Sequence, residues 1–321
     1  MNSKSLRIVI VGLGVQGMKR MSVAGSDIVA TVDPAIDSAT YKSLYDVPST
    51  DYDAALLCVP DGKKLAMLSF LIGNGKHVLV EKPIISSDEQ EISDLSRLAQ
   101  RNNVVCYTAY NHRFEPHFVR MRDLIASGDL GKIYSLRMFY GNGTARLVRE
   151  SAWRDTGAGV LTDLGSHLLD TLRFWFGDGF NVDFRIQGAH RHENRAFDHV
   201  VVTGEGYPAI QLEMSMLSWR NHFTCDIYAE NGSAHIDSLC KWGPSTFTRR
   251  TRILPSGRPP EESVCLVQTD PTWETEYVHF VELCRKGTGT TLDNDLWLSR
   301  KLNALARQTG LTGTTEKKGC Q

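Results

Sequence analysis

The feature that most constrains this chain is its opening. Ile8-Val9-Ile10-Val11 runs directly into Gly12-Leu13-Gly14-Val15-Gln16-Gly17, and a second apolar run, Ile28–Val32, ends on Asp33. A short β-branched run that stops at a glycine turn reads as a buried strand, and the residues after the turn read as a helix. The turn has the G-x-G-x-x-G form, in which Gly12 permits the tight turn, Gly14 lets the backbone approach a pyrophosphate, and Gly17 lets the helix pack closely on the strand. Phosphate then sits at the helix N-terminus, where unpaired N–H groups and the dipole favour negative charge. A glycine-rich turn alone is common, but Asp33 follows Gly12 by about 20 residues, the distance at which an acid meets the adenosine ribose of a bound dinucleotide. A carboxylate there accepts from a free 2′-OH and repels a 2′-phosphate, and Pro34-Ala35-Ile36 brings no arginine, so the pattern favours NAD and leaves NADP open.

At 321 residues the chain exceeds what one core usually supports, so two domains are expected. Charge is balanced, 36 basic against 37 acidic residues, which gives no basic footprint for nucleic acid. Ile8–Val11 is too short for a signal sequence, and no run reaches the length of a membrane span. The seven cysteines are scattered without a C-x-x-C pair. This reads as reduced thiols in a cytoplasmic protein with no bound metal. His190-x-His192 has the look of a metal pair but no evident third ligand.

Strand-like runs at 7–11, 28–32, 54–59, 77–81 and 104–107 alternate with helical patterns near 16–23, 64–72 and 89–101, the rhythm of a parallel α/β sheet. After about residue 133, runs at 134–140, 182–189, 199–205, 210–217, 223–229 and 247–254 succeed one another with few helices between them. This reads as a largely antiparallel sheet. A helix over 160–176 and two more at 275–285 and 295–308 complete the pattern, while 255–262 reads as a loop and 312–321 as a polar tail. The expected division is a nucleotide-binding domain over 1–122 and a substrate-binding and oligomerisation domain over 123–321, with the cleft at the carboxyl ends of the first domain's strands.

Three places carry chemistry. Lys82, in Glu81-Lys82-Pro83, ends the strand Val78-Leu79-Val80; it points into a cofactor cleft or is an ordinary exposed strand-end lysine. Asp163, His167 and Asp170 are spaced i, i+4, i+7 on one helix face, a spacing that serves acid–base catalysis or a plain surface Asp–His pair. In Tyr110-Asn111-His112-Arg113-Phe114, Asn111 suits a cofactor or substrate hydrogen bond and Arg113 a carboxylate, or the run is a linker. Trp153, Arg154 and Trp273 offer aromatic faces and a fork donor for a sugar ring, and packing is the other use of each tryptophan. Arg146, Arg149 and Arg154 form a basic stretch suited to a phosphate or uronate, or simply to solvent.

Taken together and in this order, the Gly12–Gly17 turn, Glu81-Lys82-Pro83, Tyr110–Arg113 and the run Gly157–Asp170 resemble the glucose–fructose oxidoreductase, inositol dehydrogenase and MocA (Gfo/Idh/MocA) family over nearly the whole chain. The resemblance implies an N-terminal Rossmann domain and a C-terminal α+β domain with a large, mostly antiparallel open sheet, assembled as a homodimer or homotetramer. It implies hydride transfer between NAD(H) or NADP(H) and a hydroxyl or keto carbon of a sugar, nucleotide sugar or cyclitol. Lys82 is then the lysine near the nicotinamide and the reacting oxygen, His167 the acid–base group and Asp163 its carboxylate partner. Val15, Gln16, Val59, Pro60, Glu81 and Asn111 join Gly12, Gly14, Gly17, Asp33 and Lys82 as cofactor contacts. Arg113, Trp153 and Arg154 join Lys82, Asp163 and His167 around the substrate. Two other readings of the same fold are an NAD-dependent glycoside hydrolase and a sugar-responsive regulator. The chain departs from the family pattern at Lys64, where many members carry histidine, and at Gly157-Ala158-Gly159, usually three glycines.

Overall fold

The computed structural model describes residues 6–151, 154–255, 257–287 and 289–311. The chain forms two compact units: residues up to Asn111 together with Thr272–Ser299, and His112–Pro271 together with the residues from Arg300 onward.

The first unit is built on five parallel strands, β1 (Ile8–Val11), β2 (Ile28–Val32), β3 (Ala54–Leu57), β4 (His77–Glu81) and β5 (Cys106–Ala109), in the order β2-β1-β3-β4-β5. β1 and β3 are buried at every position, as strands covered by helices on both faces must be. The crossovers carry α1 (Val15–Ala24), α2 (Asp61–Gly73) and α3 (Glu89–Arg101). In α3, Ile92, Leu95 and Ala99 make the buried stripe, and the Asp88 side chain caps the start by accepting from the Gln90 N–H at 2.9 Å. Strand order reverses between β1 and β3, the switch point at which open α/β sheets bind ligands.

The second unit opens with α4 (Pro116–Ser127), where proline occupies the first turn, and continues through β6 (Ile133–Gly141) and the short α5 (Ala145–Arg149). Then come α6 (Val160–Asp163) and α7 (Gly165–Phe176). The expected single helix over 160–176 is thus two, with the break at Leu164. Strands β7 (Asp183–His190), β8 (His199–Glu205), β9 (Ala209–Ser215), β10 (His222–Ala229), β11 (Gly232–Asp237), β12 (Ser245–Thr251) and β13 (Glu261–Leu266) complete an eight-stranded sheet. Its order is β13-β12-β11-β10-β6-β9-β8-β7, antiparallel throughout except for the β6/β9 pair. Leu136, Met138, Ile210, Leu212, Phe223 and Ile227 alternate into its buried face, while α7 buries Leu168, Leu169, Leu172 and Trp175. The helices α8 (Thr272–Lys286) and α9 (Leu292–Gln308) close the chain.

This is the expected fold class, with specific differences. The units exchange at Asn111, not at 122, and Thr272–Ser299 return to the first unit, where Thr291 donates its N–H to the Cys106 carbonyl at 3.0 Å and Asp295 accepts from the Thr108 hydroxyl at 2.7 Å. β11 lies in a stretch without an expected strand, and β13 begins inside the expected loop at 255–262. The expected tail over 312–321 lies outside the described residues. Among the described residues no helix is long and apolar enough to cross a membrane.

Candidate active site

In the first unit, Gly12 follows β1 at φ +91°, and a Cβ there would meet the Cys58 carbonyl oxygen at 2.4 Å. A Cβ at Gly17 would meet the Gly12 carbonyl oxygen at 1.9 Å, so helix and turn touch backbone to backbone. Gly14 differs: nothing lies within 4 Å of where its Cβ would be, so the turn is open on that side. Gly14 also starts α1 with no side-chain cap and no acid in the first turn, while Val15 is 75% exposed. An uncapped N-terminus beside an open glycine is the shape a pyrophosphate needs.

Asp33 sits at the end of β2 against this turn. Its Oδ2 accepts from the Leu13 N–H at 2.8 Å, and its Oδ1 from Ala35 at 2.8 Å and Ile36 at 3.2 Å. Burial pushes its carboxyl up, but these three donors outweigh burial and hold it below the usual carboxylate range. The loop also brings Lys42 near it, with the ammonium donating to the Ile36 carbonyl at 2.8 Å. Nothing in the Pro34–Ile36 segment signals this cation, which arrives through the pairing of Tyr41 with Val32.

Val59 and Pro60 follow β3, and Pro60 begins α2. Glu81 closes β4 and accepts from Arg20 Nε at 2.7 Å, while Arg20 Nη2 pairs with Glu276 at 2.7 Å and Trp273 lies over the guanidinium, 4.3 Å from its ring centre. Arg20 is 1% exposed and occupies a core position of α1. Burial opposes its charge, but Glu276 and Glu81 more than compensate and raise its proton affinity. Trp273, a candidate sugar platform in the sequence, therefore packs on this ion pair. Arg20→Ala is expected to cost about 3–5 kcal/mol of stability, because it strands carboxylates in the interior. Urea unfolding measures this, and a loss below about 1 kcal/mol would place the pair with exposed ones.

Lys82 follows Glu81, and its peptide bond to Pro83 is cis. Beneath that turn lies Lys64, 2% exposed, with Nζ donating to the Pro83 carbonyl at 2.9 Å and pairing with Asp61 at 2.7 Å. Burial lowers its proton affinity, against the pull of Asp61 and Glu81. The residue that departs from the family pattern thus holds the segment bearing Lys82. Asn111 ends the first stretch of this unit and donates to the Thr272 hydroxyl at 2.8 Å.

In the second unit, Gly157 and Gly159 adopt positive φ ahead of α6, and a Cβ at Gly159 would meet the Phe197 carbonyl oxygen at 2.3 Å. Ala158 between them is buried without disturbing the turn. Asp163 closes α6 and lies 3.5 Å from Arg154, both about a third exposed. His167 stands in the first turn of α7, 7% exposed. Its ring stacks on His112 at 4.1 Å between centroids and 22° between planes, with Tyr140 6.0 Å away. Burial and the charge of Asp163 both push the Tyr140 hydroxyl up, so it stays protonated. Asp170 pairs with Arg113 through two bonds, 2.8 and 2.6 Å. Arg113, expected at the substrate, thus spends its fork on a buried carboxylate of its own unit. Arg146 pairs with Glu150 and Arg149 donates to the Glu193 carbonyl, which leaves Arg154 nearest Asp163 within the expected basic stretch. Trp153 lies outside the described residues.

Among the described residues Glu115, Cys240 and Asp270 place ligand atoms within 4.8 Å of one another. Burial pushes the Cys240 thiol up, and it donates to Glu115 at 3.1 Å while its N–H donates to the same carboxylate at 2.8 Å. These bonds join Glu115 and Cys240 directly.

Residues 6–110 match the model of an oxidoreductase family with an NAD-binding Rossmann fold, and residues 118–235 match the GFO/IDH/MocA C-terminal domain. The chain belongs to the Gfo/Idh/MocA family. Among its relatives, the rhizopine catabolism protein MocA of Rhizobium meliloti is 26% identical over 196 residues, 56% of this chain and 60% of that protein. A glucose-6-phosphate 3-dehydrogenase of Bacillus subtilis is 32% identical over 114 residues, 34% of this chain and 32% of that protein. The chain thus spans less than two thirds of the length of these curated relatives. Over its whole length it shares its fold with an inositol dehydrogenase homolog of Azotobacter vinelandii solved with NADH and myo-inositol. The TM-score there is 0.79 at 16% identity, over 97% of each chain. The first unit is accordingly the family's NAD-binding Rossmann domain.

Proposed function

We propose that this protein is a dehydrogenase that moves a hydride between NAD(H) and a CH–OH carbon of a sugar, nucleotide sugar or cyclitol. The carrying observation is that the nucleotide unit holds a lysine on a doubly anchored strand end, Lys82 between Glu81 and Pro83, while the other unit holds a buried imidazole, His167, one turn beyond a partly exposed Asp163. When bound, the nicotinamide accepts the hydride. Lys82 stabilises the alkoxide that develops as the hydroxyl proton leaves, and His167 takes that proton. Asp163 favours the imidazolium, and Arg154 beside it offers guanidinium donors to substrate oxygens. Gly12, Gly14, Val15, Gln16 and Gly17 would cradle the pyrophosphate, Asp33 would bind the ribose, and Val59 and Pro60 would line the nucleotide. The related names point to polyols as the substrate class, and the functional assembly is a homodimer or homotetramer.

The test is a panel of aldoses, uronates, nucleotide sugars and inositols incubated with NAD, with reduced nicotinamide followed by near-ultraviolet absorbance. Stoichiometric oxidised sugar and NADH are expected. Glycoside cleavage without accumulated NADH, or no reaction with any panel member, would overturn the reading. NAD is expected to bind at least tenfold more tightly than NADP, about 1.4 kcal/mol, because Asp33 stays ionised against a 2′-phosphate. Titration of both cofactors measures this. Equal affinities would mean that Lys42 cancels Asp33.

A further inference from the structure

In the run Tyr110–Arg113, Asn111 and Arg113 carry the evident polar chemistry, yet it is the residue between them that the structure sets against the candidate base. We propose that His112 is a positioning residue for His167: an uncharged imidazole platform, held in one tautomer by Lys241, on whose face His167 alone gains and loses a proton. The proposal rests on His167 being the acid–base group.

The geometry makes two demands. His112 is 3% exposed and lies nearly parallel to His167 at 4.1 Å, a stack that protonation of both rings would make repulsive. Lys241 Nζ lies 3.2 Å from His112 Nε2. An ammonium only donates, so Nε2 must offer its lone pair, the ring proton sits on Nδ1, and the ring is neutral. A second proton on Nε2 would set an N–H against the ammonium. Lys241 is held in turn, with its ammonium 4.7 Å from the ring centre of Trp242.

Among the described residues, the ionisable groups named around the stack have partners of their own. Tyr140, 5.4 Å from His112, keeps its proton. Asp170 is bound by Arg113, and Asp163 lies beside Arg154. Glu115 is bonded to Cys240, and Lys241 and Asp270 act on it with opposite sign. Without Lys241, two imidazoles in face contact would share protons and titrate as a coupled pair. With it, the pair has one titrating member, which is what a base with a single clean ionisation needs.

The experiment uses the full chain with histidines labelled for NMR, resonances being identified by their loss in His112→Phe and His167→Asn. In the wild type, His112 is expected not to titrate between about pH 5 and 8, while His167 does so in one step. Lys241→Met, which keeps the stem and removes the ammonium, is expected to make His112 titrate and to split the pair's protonation into two steps about one pH unit or more apart. The rate–pH profile should gain a second ionisation in Lys241→Met and lose it again in the double variant with His112→Phe. Titration of His112 alongside His167 in the wild type overturns the proposal whatever the variants do, and so does an unchanged pattern in Lys241→Met. If the NMR titrations behave as expected while no alcohol is oxidised, the pairing stands and the dehydrogenase reading fails. If oxidation proceeds but the titrations are unmoved, the reverse holds.

Discussion

Lys82→Ala is expected to lower turnover by at least about 10²-fold while NAD(H) affinity stays within a few-fold of wild type. The asymmetry comes from the surroundings of the residue. The proposed pyrophosphate site is Gly12, Gly14 and the uncapped start of α1, which follow β1, whereas Lys82 follows the end of β4. The strand end is fixed independently of the Lys82 side chain, by the Glu81–Arg20 bond on one side and the Lys64–Pro83 bond on the other. Removing the ammonium therefore deletes a charge while the Glu81–Arg20 and Lys64–Pro83 bonds still hold the strand end. Cofactor titration beside steady-state kinetics tests this. Normal turnover would return Lys82 to the exposed lysines, and a collapse of cofactor affinity would place it in the nucleotide site instead. Lys64→Ala makes the useful contrast: with the Pro83 carbonyl released in the interior, it should lose stability as well as rate.

The signals legible in the sequence are local ones. The strand–glycine turn–helix opening can be read because each glycine answers a steric demand within a few residues or from the next strand: Gly17 against Gly12, Gly12 against Cys58. The α3 stripe and most of the antiparallel strands come from periodicity in the same way. The features that the sequence hides depend on distant partners. Arg20 looks like a solvated helix residue until Glu81 and Glu276 are brought to it. Thr272–Ser299 carry an ordinary amphipathic pattern that does not say which sheet they cover, and hydrogen bonds to Cys106 and Thr108 decide it. The spacing of Asp163, His167 and Asp170 on one face assumes an unbroken helix, but the turn breaks at Leu164 and the three side chains find three partners: Arg154, His112 and Arg113. Lys64 stands out only as a departure from a pattern. Its role under Pro83 depends on a side chain crossing from α2 to the end of β4.

His167→Asn is expected to lower alcohol oxidation by roughly 10²–10⁴-fold and to remove an ionisation from the rate–pH profile. The sign is set by the chemistry: a base must be unprotonated to accept the hydroxyl proton, so the wild-type rate should rise with pH through the His167 ionisation. In the reductive direction the same group must carry the proton it donates, so the rate should fall through the same ionisation, a mirror image no substrate-binding role would produce. Asparagine fits the volume and keeps polar atoms, so α7 and its packing beside His112 should survive, and a loss of rate can be assigned to proton transfer once circular dichroism and cofactor affinity match the wild type. Retention of both rate and pH dependence in this variant would make His167 a packing residue of α7. The base would then have to be sought at Lys82, whose replacement would become the experiment that locates the ionisation.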